Sequence, residues 1–273
     1  MRASAHLAVA RTQDSHRSKI TRLHSEAALV LLPTNPVRHE PMRRWHSCGT
    51  APARVSLVAG AAGPVGGDQL SMSIDVESGA ALILRSVAAT LVLPGPHCQP
   101  SRIEISVRVA AHGILIWLPS PIIAARNCRH VSITNVALEA GARLFLREEL
   151  LLGRHGEQPG AIRQRLRVRL EDQPLLDQEF AIGPDAAGWD SPAVIGGRRA
   201  LGSVLIVDPD WLRSPPELAI SAHDADTALM PLNGPAILMT TLARDALALR
   251  HQLDGAISAV EASRAHVQPA SSR

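Results

Sequence analysis

The sequence predicts a layered all-β protein, a stack of strand–turn–strand units followed by one C-terminal helix. Three observations predict it. Several segments alternate apolar and polar residues with period two, as half-buried strands do. "VESGAALIL" (76–84) and "LEAGARLFL" (138–146) repeat one frame: apolar, Glu, small, Gly, Ala, any, Leu, any, apolar. Near the end, residues 244–262 switch to helical period.

Residues 1–18 are polar and aperiodic, and they are expected to form a disordered tail. The body is expected over 19–262 as a single β-rich domain, with a frayed tail over 263–273. "LSMSIDV" puts Leu70, Met72, Ile74 and Val76 on one face, and "RIEISVRV" does the same with Ile103, Ile105, Val107 and Val109. "RQRLRVRL" sets Leu166, Val168 and Leu170 against Arg165, Arg167 and Arg169. "VAAHGILIW" (109–117) resembles the repeat with one extra residue, and "LEDQPLL" (170–176) keeps only its turn. The turn glycines Gly79, Gly113 and Gly141 lie 34 and 28 residues apart. Each unit reads as a hairpin, and hairpins at that spacing imply a layered β body rather than βαβ units. Asn233-Gly234-Pro235 makes a turn and "AILMTT" a last strand. The closing helix carries Leu247, Leu249, Leu253, Ile257 and Val260, with Gly255 weakening it. Covering an edge of the β body is its simplest use; a partner surface is the alternative.

Composition narrows the function. The 273 residues are 46% hydrophobic and 19% charged, which is globular rather than disordered. The formal charge is +3, and Lys19 is the only lysine. There is no tyrosine and aromatics are 2%, which argues against a base-stacking nucleic-acid binder. No signal-peptide core and no membrane-length apolar run is seen, so the expectation is a cytoplasmic protein without a membrane partner. Three widely spaced cysteines make no disulfide framework.

The glycine-rich stretch "AGAAGPVGGDQL" (59–70) looks at first like a phosphate cradle. A P-loop would need Lys and Ser or Thr after the last glycine, and neither is there. A dinucleotide loop would open a helix, whereas a strand by period follows here. The stretch reads as a turn at a strand entrance, with Gly66 and Gly67 allowing unusual backbone and Asp68 fixing it. No nucleophile elbow occurs, and Asp208-Pro209-Asp210 reads as a capped turn rather than an acid–base pair. For metals, every cysteine has a histidine within two positions: His46 with Cys48, His97 with Cys98, Cys128 with His130. Thiolate and imidazole suit Ni²⁺, Cu or Zn²⁺, but no closed ligand set can be drawn, and these six stay as candidates.

The tokens together resemble the UreD (UreH) family of urease accessory proteins, as a divergent member. They are, in order, Gly66-Gly67-Asp68, "SGAALIL" leading to Ala88-Ala89-Thr90, "WLPSPII" with Trp117, Pro119 and Pro121, "EAGARL", and "LLGRHGE" with Gly153 and Arg154. Gln69, Leu91 and Ser120 depart from the family's pattern. The resemblance implies a β-helix-like scaffold and a maturation chaperone rather than an enzyme. It implies that the chain bridges urease apoprotein subunits to UreF and the GTPase UreG, with no tightly bound cofactor and with nickel in transit. A β-rich interaction module without metal business, and a nucleotide-using enzyme, are the alternatives.

Overall fold

The computed structural model describes residues 1–13, 16–37, 40–47, 49–213 and 226–263. The chain starts with β1 (Arg2–Arg11) and β2 (Ser18–Ser25), an antiparallel pair in the first of two facing sheets. β3 (Val30–Pro33), the short helix α1 (Arg43–Ser47) and β4 (Ala53–Val58) follow, the strands joining the second sheet. Three coils then climb the structure. β5 (Gln69–Val76) lies in the first sheet, and β6 (Ala81–Ser86) and β7 (Thr90–Val92) lie in the second. β8 (Ser101–Val109) returns to the first, and β9 (Ile114–Leu118) and β10 (Ile122–Ala124) to the second. β11 (Arg129–Leu138) and β12 (Arg143–Leu151) repeat the step. β13 (Ala161–Leu170) and β14 (Gln173–Ile182) end the first sheet. β15 (Ala200–Val207), β16 (Thr227–Pro231) and β17 (Ala236–Ala243) end the second, before helix α2 (Ala246–Ser263).

The β-rich, solenoid-like class is the expected one, but the pairing inside it differs from hairpins. The strands on either side of turns 77–80, 110–113 and 139–142 go to opposite sheets. Each pairs in parallel with its counterpart in the next coil, as β5, β8, β11 and β13 do in the first sheet. Of the four repeat turns, the one at Glu171 and Asp172 alone closes a hairpin, between β13 and β14. Period two reports which face of a strand is buried; it is silent on which strand lies alongside. The turns are corners hydrogen-bonded up the stack: Gly79 N–H donates to Ala111 O, and His112 N–H to Ala140 O. At Gly141, with φ +72°, a Cβ would collide with the His112 ring of the corner below.

The expected disordered tail is a correction. Arg2–Arg11 is a full strand between β2 and β5, with Ala3, Ala5, Leu7 and Val9 buried. Its inward side chains are small, so its period-two signal is weak, yet the parallel partner β5 fixes its register over eight residues, Arg2 to Val9. The body therefore starts before residue 19. Residues 264–273 of the expected C-terminal tail lie outside the described residues.

Leu7, Met72, Ile74, Leu82, Leu115 and Leu144 fill the space between the sheets. Outside the second sheet, Phe145, Ile116, Val204 and Met239 meet Leu249, Leu253, Ile257 and Val260 of α2. The helix thus covers a sheet face, not an edge, and Leu247 is left 66% exposed. Gly202 makes room for it, since a Cβ there would lie 2.7 Å from Leu253. Asp245 caps its start by accepting from Ala248 N–H at 2.8 Å. Asp208, fully buried, caps the 3-10 turn Pro209–Leu212, takes the Trp45 indole N–H at 2.8 Å and lies 3.3 Å from Arg143 Nε. That carboxylate is structural, as the sequence suggested. Among the described residues, no helix is long and apolar enough to cross a membrane.

Candidate functional site

The glycine loop sits where the chain enters β5. Gly66 presses against the next coil: a Cβ there would lie 2.5 Å from Gly95 N and 2.6 Å from Gln99 O. Gly67 has φ +93°, a region that L side chains avoid. Asp68 is buried and accepts from Val65 N–H at 2.8 Å, tying the turn back on itself. The N–H groups of Val65, Gly66, Asp68 and Gln69 are all engaged, by Asp68 Oδ2, Leu93 O, Val65 O and Met1 O.

The later motif residues mark an irregularity in the second sheet. Trp117 is buried in the inter-sheet core. β9 pairs with β12 up to Trp117–Leu146, and β10 resumes at Ile122–Leu150. The intervening Leu118–Pro121 has one residue more than the Arg147–Glu149 stretch opposite, a bulge. One coil below, Val87, Ala88 and Ala89 separate β6 from β7 in the same way, and Thr90 N–H reaches Pro121 O at 2.9 Å. Beyond β12, Gly153 (φ +81°) and Arg154 form a tight loop in which Arg154 grips Glu157 with two bonds of 2.8 Å. That guanidinium holds the Glu157 carboxyl down to about 2.

Inside the body, one row of inward-facing side chains is polar. On β12, Leu144 and Leu146 face the main core and Leu150 the upper one; Glu148 lies between them on the same face. Glu148 pairs in register with Ser203 of β15, and Ser203 with Thr240 of β17. On the opposite sheet Ser132 of β11 pairs in register with Gln164 of β13. Gln164, on the facing sheet, lies close enough to Glu148 to act on its carboxyl. Thr134 and His130 continue the polar positions along β11. Thr240 Oγ1 is buried without a hydrogen-bond partner among the described residues. Burial pushes the Glu148 carboxyl up to about 7, against the smaller opposing effect of Gln164. A polar layer between two apolar cores costs stability unless water or a ligand satisfies it, so this row is the candidate functional site.

The five metal candidates among the described residues lie in three separate places. His97 and Cys98 are exposed on a loop. Cys128 is buried, and burial pushes its thiol up to about 11. His130 is 3% exposed and shares a 2.8 Å hydrogen bond with Ser101; burial pushes it down to about 4, so the ring is neutral. His46 is half-buried near Glu40, and its Nε2 has no partner among the described residues. Cys48 lies outside the described residues. Among the described residues, no three His, Cys, Asp or Glu side chains come together as a metal-holding group. The polar row was missed by sequence reasoning because its members sit on five different strands; the one signal was Glu148, at an inward-facing position of the stretch "LFLREELLL" between Leu146 and Leu150.

A family model described as "UreD urease accessory protein" matches residues 1–273 of the chain. The chain belongs to the UreD family of urease accessory proteins. A urease accessory protein UreD of Streptomyces avermitilis is 45% identical over 220 residues, covering 80% of this chain and 86% of that one. Its counterpart in Streptomyces coelicolor is 43% identical over 221 residues, covering 81% and 86%. Urease accessory protein UreD 1 of Saccharopolyspora erythraea is 33% identical over 257 residues, covering 94% of each chain. The match reaches residue 1, in keeping with β1 being part of the body.

Proposed function

We propose that this chain is a non-catalytic scaffold of urease maturation that bridges apo-urease to UreF and UreG in the cytoplasm. In this reading nickel passes through the body along the polar row on its way to the urease active site. The observation that carries the reading is Glu148 between two apolar cores, in register with Ser203 and Thr240 and facing Gln164. A carboxyl raised to about 7 is close to half ionised at neutral pH. One carboxylate with hydroxyl and amide oxygens is a hard, sparse donor set, and nickel prefers nitrogen and sulfur. Such a row would hold the ion weakly, as a route should, and would not store it. The row contains no thiol, and the neighbouring imidazole of His130 is engaged by Ser101.

The test is to co-express urease subunits with UreF and UreG, with and without this chain, and to measure nickel per urease active site. Low nickel without the chain supports the reading. Full nickel and full activity without it overturn the reading. A complex that forms normally but makes no difference to nickel would leave an interaction module.

A further inference from the structure

β14 is the terminal strand of the first sheet, and it pairs with β13 alone. Every second residue of an antiparallel strand directs its N–H and C=O away from its neighbour. Those outward groups of β14 meet no backbone partner among the described residues. The strand is ten residues long, and from Leu175 to Ile182 it holds no Pro, Gly or Lys to guard its edge. The other end of that sheet is different: β2 carries Lys19 and Arg22 and contacts β3 and β4 of the second sheet. The core is also open beside β14. Register puts Leu176, Gln178 and Phe180 on its inner face, opposite Val168, Leu166 and Gln164, and all three are only half-buried. In the facing sheet, Met230 of the terminal strand β16 points inward with its partner Leu238 and stays 37% exposed. On the outer face, Asp177 and Glu179 of β14 stand beside Arg167 and Arg165 of β13. The Arg165 guanidinium holds the Asp177 carboxyl below its usual range, so it stays ionised at neutral pH.

We infer that the outer edge of β14 is a docking site for one extended segment of a partner chain, which adds a further strand to the first sheet. Main-chain hydrogen bonds to the edge supply affinity, and alternate side chains supply selection. The two outer columns alternate in sign, basic on β13 and acidic on β14. A strand laid along the edge therefore finds Asp177 and Glu179 as its nearest outward neighbours. The segment that fits alternates Lys or Arg toward those carboxylates with apolar residues toward Leu176, Gln178 and Phe180. Charge also decides against a second copy of this chain. Pairing two β14 strands antiparallel about their centre sets Asp177 and Glu179 against the same carboxylates of the other copy, and like charges directly opposite destabilise a sheet. The inference does not rest on the nickel reading of the polar row.

The experiment is peptide binding to the full chain. The probes are a capped, fluorescent peptide of alternating Val and Lys, its Val–Glu twin, and a Val–Lys copy with every amide N-methylated. Fluorescence anisotropy reads affinity, and hydrogen exchange with mass spectrometry reads which amides the peptide protects. The Val–Lys peptide is expected to bind at least about ten-fold tighter than Val–Glu, and the N-methylated copy to lose binding. The chain's formal charge is +3, so long-range attraction favours the Val–Glu peptide and cannot produce that order. Protection is expected over residues 173–182. Asp177→Asn with Glu179→Gln keeps the backbone edge and is expected to bring the two peptides within about two-fold of each other. Failure of Val–Lys to bind the parent chain, equal binding of both peptides, indifference to N-methylation, or protection that misses β14 overturns the proposal. Concentration-dependent protection of β14 without peptide would make the occupant a second copy, and overturns it too. The assay uses neither nickel nor urease, so this edge and the transfer role fail independently.

Discussion

Replacing Glu148 by Gln removes one titration and nearly keeps the side chain's size and shape. The consequence for stability follows from the position of the carboxyl. Its folded value of about 7 lies above the ordinary 4.5. Between those two values the folded protein holds a proton that the unfolded chain releases, so the contribution of Glu148 to stability falls as pH rises. Integrated from pH 5 to pH 8, the loss is about 2.5 kcal/mol at most. The assay is urea unfolding of both proteins at several pH values. Taking the difference at each pH cancels other titrations, His130 among them. Glu148→Gln is expected to gain on the parent steadily from pH 5 to pH 8, by about 1 M in urea midpoint for a slope of roughly 2.5 kcal/mol/M. Two curves that run parallel in pH would refute the placement of a raised carboxyl inside the body.

His130 sits below its ordinary value, at about 4, so its contribution is complete above pH 6.5 and lost as pH falls toward 4; His130→Gln should remove an acid-labile arm of up to about 3 kcal/mol, read by unfolding at pH 4.5 and pH 7. Gly66→Ala should cost more than Gly67→Ala, roughly above 2 kcal/mol against about 1–2, because the first meets backbone and the second only an unfavourable φ with Gln99 Oε1 at 3.5 Å. Thermal melts of the two variants in the reverse order would contradict that reading of the loop. Asp208→Ala removes the acceptor of Trp45 Nε1 and a partner of Arg143, and should cost about 2–4 kcal/mol in the same melts.

Much of the architecture was legible because half-buried strands announce their faces. Leu70, Met72, Ile74 and Val76 are inward as the alternation requires, and Leu249, Leu253, Ile257 and Val260 are the buried stripe of α2. Pairing was less legible. Nothing local distinguishes a hairpin turn at Gly79 from a corner that sends β6 to the other sheet, because the difference lies in which distant strand supplies the hydrogen bonds. The N-terminal strand was hidden by its alanines: Ala3 and Ala5 bury too little surface to stand out, and only the neighbouring β5 makes them core. The motif residues were visible as tokens, but their role was not. Pro119 and Pro121 gain meaning only when the gap opposite Arg147–Glu149 is seen. Ser132, Gln164, Ser203 and Thr240 are ordinary residues in sequence, and register alone places them in one row.

The central claim is that the polar row carries nickel toward urease. It is tested most directly by the nickel content of urease matured with Glu148→Leu in place of the parent chain, with complex assembly followed in the same cells by co-purification. The account predicts intact assembly and at least about a ten-fold fall in nickel per active site, since a divalent ion needs an oxygen donor in an apolar interior. Normal nickel content with Glu148→Leu would contradict it.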